Sequence, residues 1–218
     1  MMKLRMKMMY RTSKGTEAEF LSDYLPAGAV LLLMEDMQQS GRVPKVEVLD
    51  QYETEWSIKE LRRYMKELET EPHHVRIYAD GGFDKGTGRA GLGCVIYYEQ
   101  NQQEFRLRRN QAMEQMISNN EAEYAALHFA IRLLKELSVK DQEIEVYMDS
   151  RIVVNQMAEE WPMYEKELKY WADKVDEEVK GLGVTVQYVH IERKQNKEAD
   201  QLASQALNDI QIDSTIQK

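Results

Sequence analysis

The chain has little that would staple it, anchor it or draw it to a polyanion. It has one cysteine, Cys94, among 218 residues, so no internal disulfide can form. That excludes a disulfide scaffold and makes a reducing compartment, the cytoplasm, the expectation. Long apolar runs are absent. The strongest, Pro26 to Met34, is nine residues with one glycine, far short of the ~20 that span a bilayer. Met1 to Tyr10 alternates Lys3, Arg5 and Lys7 with apolar residues and lacks a signal-peptide core. Neither a membrane nor a secretory route is expected. Net positive charge is also lacking: 29 Lys and Arg stand against 38 Asp and Glu, a net of -9. Bulk electrostatics therefore cannot hold this chain on nucleic acid. What remains, 43% hydrophobic and 31% charged residues, is the composition of a soluble globular protein rather than a collagen or a disordered tail.

The charge is uneven. Residues 1–70 sum to -1 and residues 71–218 to -8. A polyanion bound by the second part would need a local basic patch or metal ions. The periodicities divide the chain at the same place. Lys3–Arg11 and Glu19–Tyr24 read as strands, and Pro26 opens a helix to about Gln39. Lys45–Leu49 and Glu53–Trp56 read as a hairpin. Ser57 with Glu60 forms a capping box for a last helix. These elements predict a small α+β domain over residues 1–70. Glu69 to His74 (ETEPHH) reads as the boundary, with 71–74 as linker. His73 and His74 are adjacent, and neighbouring positions rarely converge on one ion, so the pair reads as exposed linker.

From residue 75 the pattern is β-β-β-α-β-α-α-β-α: strands at Val75–Ala79, Cys94–Tyr98, Gln102–Asn110, Glu143–Met148 and Val184–His190, with helices at Asn120–Leu137, Ser150–Ala158, Glu165–Lys180 and Lys197–Leu207. An antiparallel start followed by parallel additions predicts an α/β fold, a mixed five-stranded sheet with flanking helices. Residues 211–218 read as a tail.

Three aspartates stand where elements begin or end. Asp80 closes the first strand before Gly81 and Gly82, Asp149 closes the fourth, and Asp200 lies in the first turn of the last helix. Singly, a turn, a cap and a dipole contact account for them. Glu123 changes the balance. On its helix it lies over Leu127, Ala130 and Leu134, at the buried edge, whereas Glu121 faces water. A buried acid without a basic neighbour is costly unless it binds metal. Four inward acids would repel one another and raise their pKa values. Divalent Mg²⁺ or Mn²⁺ relieves that repulsion, and two such ions suit phosphodiester hydrolysis.

With these residues in view, the sequence resembles type 1 ribonuclease H. The matching stretches are YADGGFDKGTGRAGLG (78–93), SNNEAEYAAL (118–127), VYMDS (146–150) and NKEADQLA (196–203). They stand in order, and the resemblance covers about residues 75–210. It implies a ribonuclease H-like domain, a hydrolase cleaving the RNA strand of an RNA/DNA hybrid with two metal ions. Asp80, Glu123, Asp149 and Asp200 would be the catalytic and metal-binding quartet. Gly81 and Gly82 would let backbone approach the substrate. Ser118, Asn119 and Asn120 would read the minor groove, where 2′-hydroxyls mark RNA. Asn120 could also be the N-cap of its helix.

The sequence departs from the best-studied pattern in two ways, and the first, the form of residues 191–200, looks like an archaeal-type, reverse-transcriptase-like subgroup. His190 closes a strand instead of sitting in a loop, and Arg193 occupies that loop, where it could contact phosphate or product. The basic protrusion is missing, since Trp161 to Gly181 is acidic. Core packing accounts for Trp171. These departures keep a second reading alive: a ribonuclease H-like module that binds nucleic acid or a partner without cutting. The first domain does not match the family's small hybrid-binding module, and no protein partner is deducible. Its Lys3, Arg5, Lys7 and Arg11 could bind a backbone or protect an exposed strand. Met1, Met2, Met6, Met8 and Met9 could instead support self-association.

Overall fold

Apolar residues alternate along the first strand and recur at helical spacing in the two helices that follow, and each set closes its own small core. The computed structural model describes residues 2–218, except the side chain of Gln38. The chain divides into two compact units, residues 1–70 and 71–218.

In the first unit β1 (Lys3–Arg11) is central. It pairs antiparallel with β2 (Glu17–Leu21), β3 (Leu25–Pro26) and β4 (Lys45–Asp50). Helices α1 (Ala27–Ser40) and α2 (Ile58–Thr70) supply Ala27, Val30, Met34 and Leu61 to a core with Leu4, Met6 and Val48. The Ser57 and Glu60 capping box forms, with both side chains bonding back across the first turn of α2. Three of the four basic side chains of β1 are paired with glutamates. Arg5 pairs with Glu53, Lys7 with Glu19 and Arg11 with Glu17. Met6 is buried and Met8 packs against the same core, which leaves fewer methionines for an outer surface. Met1 lies outside the described residues.

The second unit is built on a six-stranded sheet in the order β10-β7-β6-β5-β8-β9. Its strands are β5 (His73–Asp84), β6 (Arg89–Gln100), β7 (Gln103–Met113), β8 (Glu143–Met148), β9 (Thr185–His190) and β10 (Asp213–Gln217). β5, β6 and β7 run antiparallel, and β8 and β9 add in parallel. This is the mixed sheet of the ribonuclease H-like fold. A sixth strand joins the expected five: the segment read as a tail pairs with the edge of β7. Its sequence, DSTIQ, has too little apolar alternation to announce a strand. The helices are α3 (Asn119–Glu136), α4 (Arg151–Met157), α5 (Lys166–Leu182) and α6 (Lys197–Leu207). Helix α3 packs on one face of the sheet and α6 on the other. Trp171 and Val175 of α5 are buried in the core that α3 shares.

Two glycines of β6 set how closely α6 docks. A Cβ at Gly93 would stand 2.1 Å from the Ala199 carbonyl oxygen, and one at Gly91 would stand 2.0 Å from that of Ala203. These are backbone atoms and cannot turn aside. Gly93→Ala is therefore expected to destabilise the second unit by about 3 kcal/mol, read as an earlier urea transition.

Candidate active site

The strands place the first two acids side by side. In the parallel pairing of β5 and β8, Tyr78 lies opposite Tyr147. Two residues further along each chain come Asp80 and Asp149. β8 has ended at Met148, but β5 continues. Asp80 therefore does not close its strand, as the sequence suggested. Gly81 and Gly82 pair on with Leu92 and Gly91 of β6, which carries the strand to Asp84. Asp80 sits mid-strand, 7% exposed, on a ledge left by the shorter neighbour.

Asp149 is followed by Ser150, whose hydroxyl caps α4. The capping duty considered for Asp149 thus falls to its neighbour, and its carboxylate is left to the crevice. Asn196, at the start of α6, is 1% exposed. Its Nδ2 donates to Asp149 Oδ1 at 2.9 Å and to the Ala79 carbonyl oxygen at 3.0 Å. Both partners are acceptors, which fixes the amide's orientation. The side-chain oxygen of Asn196 is buried with no protein partner.

Glu123 is carried on the second turn of α3. It is 8% exposed, and its Oε2 accepts from the Gly81 N–H at 3.3 Å. A Cβ at Gly81 would stand 2.3 Å from the Ala122 carbonyl. Gly81 thus lets α3 lie against β5, and Gly82 faces Ala203 and Leu207 of α6. Helices approach both of these glycines closely.

One carboxylate oxygen each from Asp80, Glu123 and Asp149 lies within 4.8 Å of the other two. Burial, then the charges of Asp149 and Asp200, push Asp80 up to about 7. Burial, then Asp80 and Asp149, push Glu123 up to about 9. Asp200 stands outside this trio. Its Oδ1 accepts from Arg193 Nη2 at 2.8 Å, and the Arg193 side chain is 80% exposed. Three of the four expected acids thus converge, while Asp200 is paired with Arg193 and still raises the pKa of Asp80 by its charge.

The remaining predicted residues lie around this centre. Ser118 is the N-cap of α3, its Oγ accepting from the Glu121 N–H. The cap is thus Ser118 and not Asn120. Asn119 is exposed and Asn120 half-buried in the first turn of the helix that carries Glu123. Glu121 does not simply face water. It accepts from Trp171 Nε1 at 3.2 Å and from the Ile117 N–H at 2.8 Å. His190 is exposed at the end of β9.

The donor set fits divalent metal. It consists of hard carboxylate oxygens, two of them in residues whose pKa values are pushed up by burial first and neighbouring carboxylates second. Among the described residues, the cation that bears on Asp80 and Glu123 is the exposed Arg193. Mg²⁺ and Mn²⁺ favour such ligands.

The pattern of the family described as reverse transcriptase-like matches residues 78–206. The chain belongs to that family. Its ribonuclease H-like domain also resembles solved structures. One is LC11-RNase H1, isolated from compost by a metagenomic approach and solved in complex with an RNA/DNA hybrid. It is 32% identical, with 62% of this chain and 97% of that one covered, at a TM-score of 0.55. Another is the N-terminal RNase H domain of rv2228c from Mycobacterium tuberculosis, 29% identical over 62% of this chain and 94% of that one, at a TM-score of 0.53. Protein YpeP of Bacillus subtilis (strain 168) is 36% identical over 200 residues, 92% of this chain and 88% of its own length. That span is too long for the ribonuclease H-like domain alone, so most of the first unit is shared with YpeP. Among the described residues, no helix of this reverse transcriptase-like protein is long and apolar enough to cross a membrane.

Asn196 was legible only as part of a motif; its place between Asp149 and the Ala79 carbonyl was not. Asn196→Ala is expected to destabilise the second unit by about 1–3 kcal/mol, because buried partners lose their donor. It should also weaken Mn²⁺ binding about 10- to 100-fold by releasing Asp149, which isothermal calorimetry would read.

Proposed function

We propose that this chain is a metal-dependent endonuclease that hydrolyses the RNA strand of RNA/DNA hybrids. The observation that carries this reading is the gathering of Asp80, Glu123 and Asp149 from three separate elements on a ribonuclease H-like frame. Asp80, Glu123, Asp149 and Asp200 would hold two Mg²⁺ or Mn²⁺ ions. Bound there, the ions would supply an activated water and stabilise the leaving oxygen. Asn196 keeps the Asp149 carboxylate aimed at the centre. Ser118, Asn119 and Asn120, at the start of the helix that carries Glu123, would meet the minor groove and its 2′-hydroxyls. Arg193 would meet a phosphate once it leaves Asp200. LC11-RNase H1, solved with a hybrid, supports the substrate class. In this reading residues 75–210 carry the chemistry, residues 1–70 form an accessory domain, and the protein works in the cytoplasm.

One observation favours a second reading, a module that binds nucleic acid or a partner without cutting. Arg193 already neutralises Asp200, which withholds one of the four carboxylates from metal. Incubating the full chain with labelled hybrid and Mg²⁺ or Mn²⁺ separates the two. RNA fragments that disappear with a chelator support the nuclease. Hybrid binding by folded protein with no fragments under either metal supports the module.

A further inference from the structure

The sequence places His73 and His74 next to each other, and successive residues of a regular strand point to opposite faces. β5 is not regular there. Its pairing with β6 shifts register between His73 and Arg76, and His74 has φ +51°, a left-handed conformation uncommon outside glycine. The bulge turns both imidazoles onto one carboxylate. Glu99 of β6 stands opposite His73 in the ladder. Its Oε2 lies 3.2 Å from His74 Nδ1 and 3.7 Å from His73 Nε2. One ligand atom from each of the three residues falls within 4.8 Å of the other two.

These separations suit one small cation. Two donors each about 2.0–2.1 Å from a tetrahedral zinc lie ~3.3–3.4 Å apart, between the two distances observed. A second observation points the same way. His73 Nδ1 lies 2.9 Å from the Glu71 carbonyl oxygen. A carbonyl can only accept, so Nδ1 donates to it, and this bond turns the other ring nitrogen, Nε2, toward Glu99. Histidines that bind metal are held in this manner, with the far nitrogen donating to a carbonyl or carboxylate. Two imidazoles and one carboxylate form a borderline donor set, which suits zinc better than the hard-oxygen metals of the acidic centre. His74 is 72% exposed in its side chain, so an ion can enter from solvent and a water can complete its shell.

We propose that His73, His74 and Glu99 form a zinc-binding site, separate from the carboxylate trio, that fastens the bulged start of β5 to β6. The proposal stands apart from the nuclease reading, and its test is built to be independent of it. The full chain carrying Asp80→Asn and Asp149→Asn, which disables the acidic centre, is titrated with Zn²⁺ by calorimetry and then melted with and without the metal. One Zn²⁺ per chain and a rise in unfolding temperature of about 4 °C or more are expected. Adding His74→Asn, a residue that tolerates the left-handed backbone, should weaken binding at least about tenfold and erase the rise. Glu99→Gln, which leaves that backbone untouched, should do the same and serves if His74→Asn does not fold. Absence of saturable binding in the Asp80→Asn, Asp149→Asn chain, or zinc affinity unchanged by both added substitutions, would overturn the site.

Discussion

Asp149→Asn will cut hydrolysis of the RNA strand by about 10²- to 10³-fold or more while leaving the fold in place. The substitution keeps the shape of the side chain and an oxygen that can accept from Asn196 Nδ2. What it removes is the negative charge that a divalent ion needs beside Asp80. Asp149 lies in the crevice beyond the end of β8 and is not part of either hydrophobic core, so circular dichroism and melting should match the parent chain. Initial rates on a labelled hybrid under Mn²⁺ are the measurement. A variant within about threefold of the parent would mean that this carboxylate takes no part in the chemistry.

The second large effect is a dependence of stability on pH that metal reverses. In the unfolded chain Asp80 and Glu123 ionise near their ordinary values, about 4. In the folded, metal-free protein Asp80 is pushed up to about 7 and Glu123 up to about 9, by burial first and by neighbouring carboxylates second. The folded state therefore holds protons that the unfolded state has released. Their contribution to stability is complete below about pH 4 and is lost as pH rises through about 7 and then about 9. Metal-free protein should become easier to unfold between pH 5 and pH 9, on the order of 2 kcal/mol or more, since each tenfold change in acidity corresponds to ~1.4 kcal/mol. Saturating Mn²⁺ should flatten that slope. Glu123→Gln should raise metal-free stability at pH 8 by about 2 kcal/mol and change little at pH 5. Chelated samples unfolded in urea at the two pH values give the comparison. A parent protein equally stable at both would show that the trio is not under electrostatic strain.

Much of this was legible in the residues. Period-2 and period-3.6 patterns placed β1, β8, α3 and α6 nearly to their ends, because each has a continuous apolar face and a clear cap or stop. Burial of Glu123 followed from helical spacing alone. The misreadings have physical causes. Asp80 looked like the end of a strand because glycines usually break one. Here an antiparallel partner, itself glycine-rich, accepts them in register. β10 was missed because edge pairing needs only backbone groups, which leave no trace in side-chain pattern. The pairing of Asp200 with Arg193, seven residues earlier, was not legible, because no sequence rule foresees that the arginine reaches back to it. His73 and His74 were read as exposed linker because neighbouring positions rarely converge on one ion; the irregularity of β5 that turns both toward Glu99 leaves no mark in the sequence.

The near-contact of helix backbone with sheet backbone has a consequence for how this protein can vary. Ala199, whose carbonyl rests on Gly93, immediately precedes Asp200, and Ala122, whose carbonyl rests on Gly81, immediately precedes Glu123. At both places a methyl group would lever an acidic neighbour outward as it pries the layers apart. Tolerance at these two glycines should therefore vanish for folding and for turnover together. Partial suppressors should arise in the smallest helix residues facing them rather than among the acids themselves.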